Sequence, residues 1–370
     1  MWFKSVLLLA HPTGNTFSRA AARAFHGQGL LQEFDTCFSW NPDSPLARLL
    51  PQSLADQLNR RSFTEIPSAL QHTHPWRELL RLSALHRALP WLKRHERGPL
   101  SVDGLYRSFD RHVAARLPSL AGLQAVYAYE DAALHTFRAA SALGLRRFYD
   151  LPIGHWRSAH QIFAEERDLQ PAWACTLTGL RDSPAKLARK DEELALAEAV
   201  IVPSQFVRST LLEHRACAAP VHVVPFGSPP ALQEPPPTHT SGPLRVLYVG
   251  SLGQRKGLFY LLEAMEALGS HASLTLIGRP TSPDCAPLNA ALQRYPWISS
   301  LPHAEILAQM SKHDVLVLPS LFEGFALVIS EALSRGLPVI ATPNSGATEC
   351  VRDGLEGFIV PIRSSQAIAE

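Results

Sequence analysis

Ser320-Leu321-Phe322-Glu323-Gly324-Phe325-Ala326-Leu327-Val328-Ile329-Ser330-Glu331-Ala332 sets two carboxylates eight positions apart around a turn from strand to helix. The preceding Asp314-Val315-Leu316-Val317-Leu318-Pro319 is an apolar run of the length of a buried parallel strand. Ala326 to Ser334 reads as a helix, stopped by Gly336 and Pro338. Glu323 is therefore expected on the loop and Glu331 within the helix. A helix start leaves N–H groups without intrahelical acceptors and its dipole favours an anion; here the amides are those of Gly324, Phe325 and Ala326. A diphosphate suits those amides, and the carboxylates suit sugar and ribose hydroxyls.

Upstream, Leu244-Arg245-Val246-Leu247-Tyr248-Val249-Gly250-Ser251-Leu252-Gly253-Gln254-Arg255-Lys256-Gly257 reads as a buried strand, a glycine turn and a basic pair, leading into a helix from Leu258 to Leu268. Downstream, Pro338-Val339-Ile340-Ala341-Thr342 is another buried strand. It is followed by the small-residue loop Pro343-Asn344-Ser345-Gly346-Ala347-Thr348-Glu349 and by Asp353-Gly354-Leu355-Glu356-Gly357-Phe358-Ile359-Val360-Pro361. Taken singly, the acids also fit a helix face and the basic pair a solvated loop. Together, in this order, they point to one site.

The three segments resemble, in order and spacing, the retaining glycosyltransferases of family 4, the "group 1" glycosyltransferases, whose signature is E-x7-E and whose fold is GT-B. Glu323 matches the first signature carboxylate and Glu331 the second. The resemblance implies that Glu323 lies by the donor sugar and acts in catalysis, and that Glu331 holds the ribose. Lys256 matches a lysine that neutralises the donor diphosphate. The family's frequent arginine after the strand glycine is Ser251 here, which leaves Arg255 as the second cation. The implied donor-binding set is thus Ser251, Arg255, Lys256, Gly324, Phe325, Ala326 and Glu331. The implied fold is α/β, with two Rossmann-like parallel-sheet domains facing across a cleft. Retention of configuration rests on the resemblance alone.

The bulk properties fit an ordinary enzyme. At 370 residues the chain is long enough for two domains, and its formal net charge of +2 gives no global attraction to nucleic acid. Cys37, Cys175, Cys217, Cys285 and Cys350 are scattered without C-x-x-C spacing, which argues against a disulfide framework or a zinc knuckle. No Asp-x-Asp occurs, and His72-Thr73-His74 is too sparse for a metal site, so neither metal nor cofactor is expected. The absence of G-x-G-x-x-G gives no support to a nicotinamide site. Val6-Leu7-Leu8-Leu9-Ala10 is too short to span a bilayer and reads as the first core strand, so the expected location is cytoplasmic.

Proline marks the organisation. Residues 228–243, with Pro229, Pro230, Pro235, Pro236, Pro237 and Pro243, lack apolar periodicity and read as a semi-rigid linker. It separates an N-terminal, acceptor-side domain (1–227) from a C-terminal, nucleotide-sugar-binding domain (244–370). Strands are predicted near 5–10, 124–129, 146–150, 199–203 and 221–225, then near 245–249, 273–277, 315–318, 338–341 and 358–360. The last residues, Ser364 to Glu370, begin a helix capped by Ser364 or Ser365. Relatives continue from there, so the resemblance makes the second domain look truncated.

The first strand runs into His11-Pro12-Thr13-Gly14-Asn15, a loop that faces the cleft in the resembling family. His11, Gly14 and Asn15 are thus acceptor-side candidates. So are Glu130 and Asp131, which follow the strand near 124–129; both also fit a helix start favoured by the dipole. Within a helical insertion at about 45–120, residues 60–116 carry eleven Arg or Lys against five acids, with Trp76, Trp91, Tyr106 and Phe109 interleaved. That stretch fits either the solvated faces of helices or a contact with an anionic membrane or lipid-linked acceptor.

The expected activity is metal-independent transfer of a sugar from an NDP-sugar to a saccharide or lipid-linked acceptor, with retention, in the cytoplasm or peripherally at the inner face of the membrane. Two other readings stand beside it: a nucleotide-sugar epimerase of the same fold, and a non-catalytic nucleotide-sugar-binding subunit.

Overall fold

The computed structural model describes residues 6–44, 58–59, 61–82, 89–234 and 241–370. Parts of two segments named above lie outside the described residues: 235–240 of the proline-rich stretch, and 45–57, 60 and 83–88 of the basic insertion.

Thirteen strands are described: β1 Leu7–Ala10, β2 Leu31–Thr36, β3 Gln71–Thr73, β4 Ala125–Tyr129, β5 Arg146–Asp150, β6 Ala199–Val202, β7 Val221–Val223, β8 Leu244–Val249, β9 Ala272–Ile277, β10 Trp297–Ile298, β11 Val315–Leu318, β12 Val339–Ala341 and β13 Gly357–Ile359. The described helices are α1 Thr16–Gly27, α2 Trp76–Leu82, α3 Val102–Arg116, α4 Leu134–Ala142, α5 Trp156–Leu169, α6 Pro184–Leu196, α7 Gln205–Glu213, α8 Leu258–Leu268, α9 Ala286–Arg294, α10 His303–Met310, α11 Leu327–Ser334 and α12 Ser365–Ala369.

One sheet has the order β3-β2-β1-β4-β5-β6-β7 and the other β10-β9-β8-β11-β12-β13. The registered pairs of both sheets are parallel. β1, β4 and β11 are buried along their whole length. This is why they read as continuous apolar runs rather than alternating ones. The strand order reverses between β1 and β4 in the first sheet and between β8 and β11 in the second. Loops leaving the carboxyl ends of such strands form the ligand-binding crevice of open α/β sheets.

All ten strands predicted from the sequence are present. β2, β3 and β10 are not legible there, because β2 is interrupted by Gln32, Glu33 and Asp35, and β3 and β10 are only 3 and 2 residues long. Asp35 is buried in β2 because Arg116 of α3 neutralises it at 2.8 Å.

Packing groups the chain into two compact units. Residues Met1–Leu151, Asp182–Ile201 and Cys217–Val221 form the first, and Pro152–Arg181, Val202–Ala216 and His222–Glu370 the second. The second unit thus includes α5 and α7 together with residues 244–370. The second unit's core runs through Val246, Leu247, Leu261, Leu276, Leu316 and Ile329, and Trp173 is buried in it. The described start of the proline-rich segment also lies on this unit, where Leu232 N–H donates to Ser334 O at 2.9 Å and Arg335 Nη2 donates to Pro230 O at 2.5 Å.

Candidate functional site

The loops leaving β8 and β11 flank the switch point of the second sheet, and their sequences bring three charges together. Glu323 Oε1 lies 2.6 Å from Arg255 Nη1 and 2.7 Å from Lys256 Nζ. Backbone contacts fix this approach. Leu321 N–H donates to Arg255 O at 2.9 Å, and Arg255 Nη1 donates to Phe322 O at 3.1 Å. Gly257 adopts φ +68°, and a Cβ there would stand 1.9 Å from Pro319 O. Only glycine allows both the turn and the contact between the two loops.

The electrostatics follow from burial and proximity. Burial pushes the Glu323 carboxyl upward, but the adjoining Lys256 and Arg255 outweigh it and hold the pKa below its ordinary value. Burial lowers the pKa of Lys256, an effect that Glu323 partly offsets. The site therefore presents two cations and one carboxylate in a partly desolvated setting, where charge-assisted contacts are stronger than in water.

Sequence reasoning missed how the β8 loop is braced. Gln254 is fully buried. Its N–H donates to Thr176 Oγ1 at 3.0 Å, its Nε2 to Glu166 Oε1 at 2.6 Å, and its Oε1 accepts the Phe259 N–H at 3.0 Å. Glu166, on α5, also accepts from Tyr260 Oη at 3.0 Å and from Arg363 Nε at 2.8 Å. A glutamate inside an amphipathic helix carries no local motif, so this role has no sequence signal.

The β11 loop is clasped by the small-residue loop after β12. Glu323 N–H donates to Asn344 O at 3.0 Å, Asn344 Nδ2 to Leu321 O at 2.9 Å, and Thr342 Oγ1 to Ser320 O at 2.5 Å. The Ala326 N–H, expected to be open to a ligand, donates to Ser345 O at 2.9 Å, because α11 begins one residue later at Leu327. Among the described residues, the N–H groups of Gly324 and Phe325 have no intramolecular acceptor. Gly324 also admits Pro152 O where a Cβ would stand only 1.7 Å away, and its carbonyl accepts from Ser204 Oγ at 2.6 Å. The Phe325 ring packs edge-on against Phe226.

Glu331 lies on α11, as the pattern predicts, and its Oε1 is 2.9 Å from His303 Nε2. His303 was not among the sequence candidates. Ser251 offers its carbonyl to Tyr248 Oη at 2.9 Å.

The acceptor-side candidates follow β1 and β4 of the first sheet. His11 is buried, and its Nδ1 accepts the N–H of Thr13 at 3.2 Å and of Gly14 at 2.8 Å. Burial pushes its pKa down to about 3, so the ring is neutral and shapes the loop. Asn15 caps α1 by accepting the Ser18 N–H at 2.9 Å. Glu130 pairs with Lys190 at 3.1 Å and Asp131 with Arg189 at 2.9 Å. Burial raises the Glu130 pKa; at Asp131 burial is outweighed by Lys190, Lys186 and Arg189, which hold it low. Both carboxylates are thus neutralised by α6, and α4 begins only at Leu134.

Comparison with known proteins shows what this geometry is similar to. Residues 243–370 match the model described as "Glycosyl transferases group 1". Glycogen synthase of Mycobacterium tuberculosis is 34% identical over 136 residues, covering 35% of this chain and 33% of that protein. A putative colanic acid biosynthesis glycosyltransferase of Salmonella typhimurium is 30% identical over 142 residues, covering 34% of each. The matched segments span about a third of the length of these curated relatives. Among solved structures, sucrose-phosphate synthase of Thermosynechococcus elongatus superposes with a TM-score of 0.67 at 18% identity, over 99% of this chain and 88% of that one. Anabaena HepE in complex with UDP-glucose gives 0.58 at 17%, over 98% and 87%. Residues 243–370 thus resemble a group 1 glycosyl transferase domain, within a chain of the GT-B fold class.

Proposed function

We propose that this protein is a retaining glycosyltransferase of family 4 that moves a sugar from an NDP-sugar to a saccharide or lipid-linked acceptor without a metal ion. The observation that carries this reading is the convergence of Arg255 and Lys256 on Glu323 at the second sheet's switch point. A diphosphate arriving there competes with Glu323 for the two cations, while the free Gly324 and Phe325 amides add donors. Glu323, relieved of part of its pairing, faces the sugar, and Glu331 takes the ribose hydroxyls.

In the transfer step the bond from the anomeric carbon to the diphosphate oxygen breaks and the charge left on that oxygen is taken up by Arg255 and Lys256. The acceptor oxygen bonds to the same face of the anomeric carbon, and its proton passes to the leaving diphosphate. Cations already in place do the work that a divalent ion does elsewhere. The basic stretch at 60–116 would bring the enzyme to an anionic membrane surface at the cytoplasmic side, where a lipid-linked acceptor resides.

The test is incubation with UDP-, GDP- and ADP-sugars, with detection of released nucleotide and of any sugar isomer. Nucleotide release from one donor, increased by acceptor glycans, is the expected result. Isomer formation without acceptor would identify an epimerase, and binding without turnover on any donor or acceptor a non-catalytic subunit; either overturns the proposal.

A further inference from the structure

We infer that the first unit carries a dedicated binding site for the phosphate group of an anionic lipid. A cavity of about 330 Å³ is lined by Arg77, Arg97, Arg107 and Arg111 together with Gly98, Pro99, Gly104 and Ser108. Among the described residues no carboxylate lines it, and none of the four arginines pairs with an acid. A neighbouring cavity, which Arg107 also lines, is of mixed charge: there Lys186 and Arg189 stand with Glu96, Asp103 and Glu192. Four guanidinium groups in one concavity repel one another unless an anion joins them, and the planar fork of arginine matches phosphate oxygens.

The cavity is built rather than accidental. Arg77 Nη1 is held by Pro99 O at 2.8 Å, and Arg107 donates to Asp103 O at 3.3 Å and to Glu96 O at 2.6 Å. These bonds go to neutral carbonyls, so they orient the two side chains without cancelling their charge. Gly104 lets α3 close on the Gly98 carbonyl, where a Cβ would stand 2.6 Å away.

The surroundings choose a lipid surface over free phosphate. α2, which supplies Arg77, is turned inside out: Glu78 is buried against Arg61 at 2.9 Å, while Trp76, Leu79 and Leu80 are 71%, 39% and 48% exposed. The turn at 90–93, whose Leu92 carbonyl packs against Gly98, presents Trp91 at 60% exposure. Tryptophan and leucine beside arginine is the composition of elements that rest at a bilayer interface, where each basic residue near the anionic surface adds to the attraction.

The site deepens the membrane part of the proposed function, and its test is separable from the donor reading. The full chain is cosedimented with vesicles of phosphatidylcholine alone or mixed with phosphatidate, and UDP binding is measured on the same samples. Wild type is expected to sediment with phosphatidate vesicles only, and more weakly as salt rises. Arg97 and Arg111 are exposed, so R97A/R111A should fold yet lose about tenfold or more in vesicle affinity, and R97K/R111K should recover part of it. W76S/W91S should lose vesicle binding while still binding inorganic phosphate. UDP affinity should not change in any of these variants; its absence in wild type would defeat the donor reading and leave this one standing. Unchanged vesicle binding in R97A/R111A overturns the inference. So does a W76S/W91S variant that sediments as well as wild type, or binding of an acidic polysaccharide by a chain that ignores phosphatidate vesicles.

Discussion

Glu323 Oε1 stands 2.7 Å from Lys256 Nζ, so the carboxylate assigned to the sugar and a cation assigned to the diphosphate neutralise each other before any ligand arrives. Replacing Glu323 by Gln removes the charge that faces the sugar but frees both cations for the phosphates. Transfer should be abolished, while affinity for free nucleoside diphosphate should stay level or rise a few-fold. Glu331→Ala should instead weaken nucleotide binding. Calorimetric titration of both variants checks this, and equal loss in the two would reverse the assigned roles.

Lys256→Ala leaves Glu323 with Arg255 alone and withdraws one desolvated cation from the diphosphate. Charge-assisted contacts of this kind contribute about 1.5–3 kcal/mol, so transfer should fall about tenfold or more. Transfer by the wild type should survive a chelator. A variant with full activity would reduce the basic pair to a solvated loop, and a requirement for added magnesium would place the diphosphate elsewhere.

The parts of this site that were legible in sequence are those set by adjacency. Lys256 follows β8 by 7 residues and Glu323 follows β11 by 5, so a buried strand plus a short loop places each at a sheet edge. The partners that arrest them are not adjacent to anything diagnostic. Glu166 reaches Gln254 across 88 positions, and His303 reaches Glu331 across 28. The same reason explains β2, whose Asp35 becomes acceptable in a buried strand only through Arg116, 81 positions away. Glu130 and Asp131 were visible as acids at a strand end, but their pairing with α6 depends on a helix that is distant in sequence.

Glu166 offers a test of bracing at a distance from the chemistry. Glu166→Ala leaves the Arg363 guanidinium and the Gln254 amide without their buried acceptor, and removing one partner of a buried charged network costs about 3–5 kcal/mol. The thermal midpoint should drop by several degrees. In Gln254→Ala, which keeps the Glu166 contacts to Tyr260 and Arg363, the loss of stability should be smaller, while KM for the donor should rise because the β8 loop loses its anchor. If Gln254→Ala leaves both stability and KM unchanged, the loop is held by its backbone alone.

His11 gives a pH dependence whose sign is fixed. In the unfolded chain the ring takes up a proton near 6.5, whereas burial delays this in the folded state to about 3. Between those values the unfolded state binds more protons, so stability must fall as pH falls through the window, by on the order of 4 kcal/mol if His11 acts alone. Protonation at Nδ1 would also remove the acceptor for the Thr13 and Gly14 amides, so the loop after β1 should open as the group titrates. His11→Asn keeps an acceptor oxygen near the Nδ1 position and has no titratable proton. Denaturant midpoints measured from pH 7 down to pH 4 should therefore decline less steeply in His11→Asn than in wild type. Parallel declines would mean that the acid sensitivity of the fold comes from other groups and that His11 is protonated together with its loop already opened.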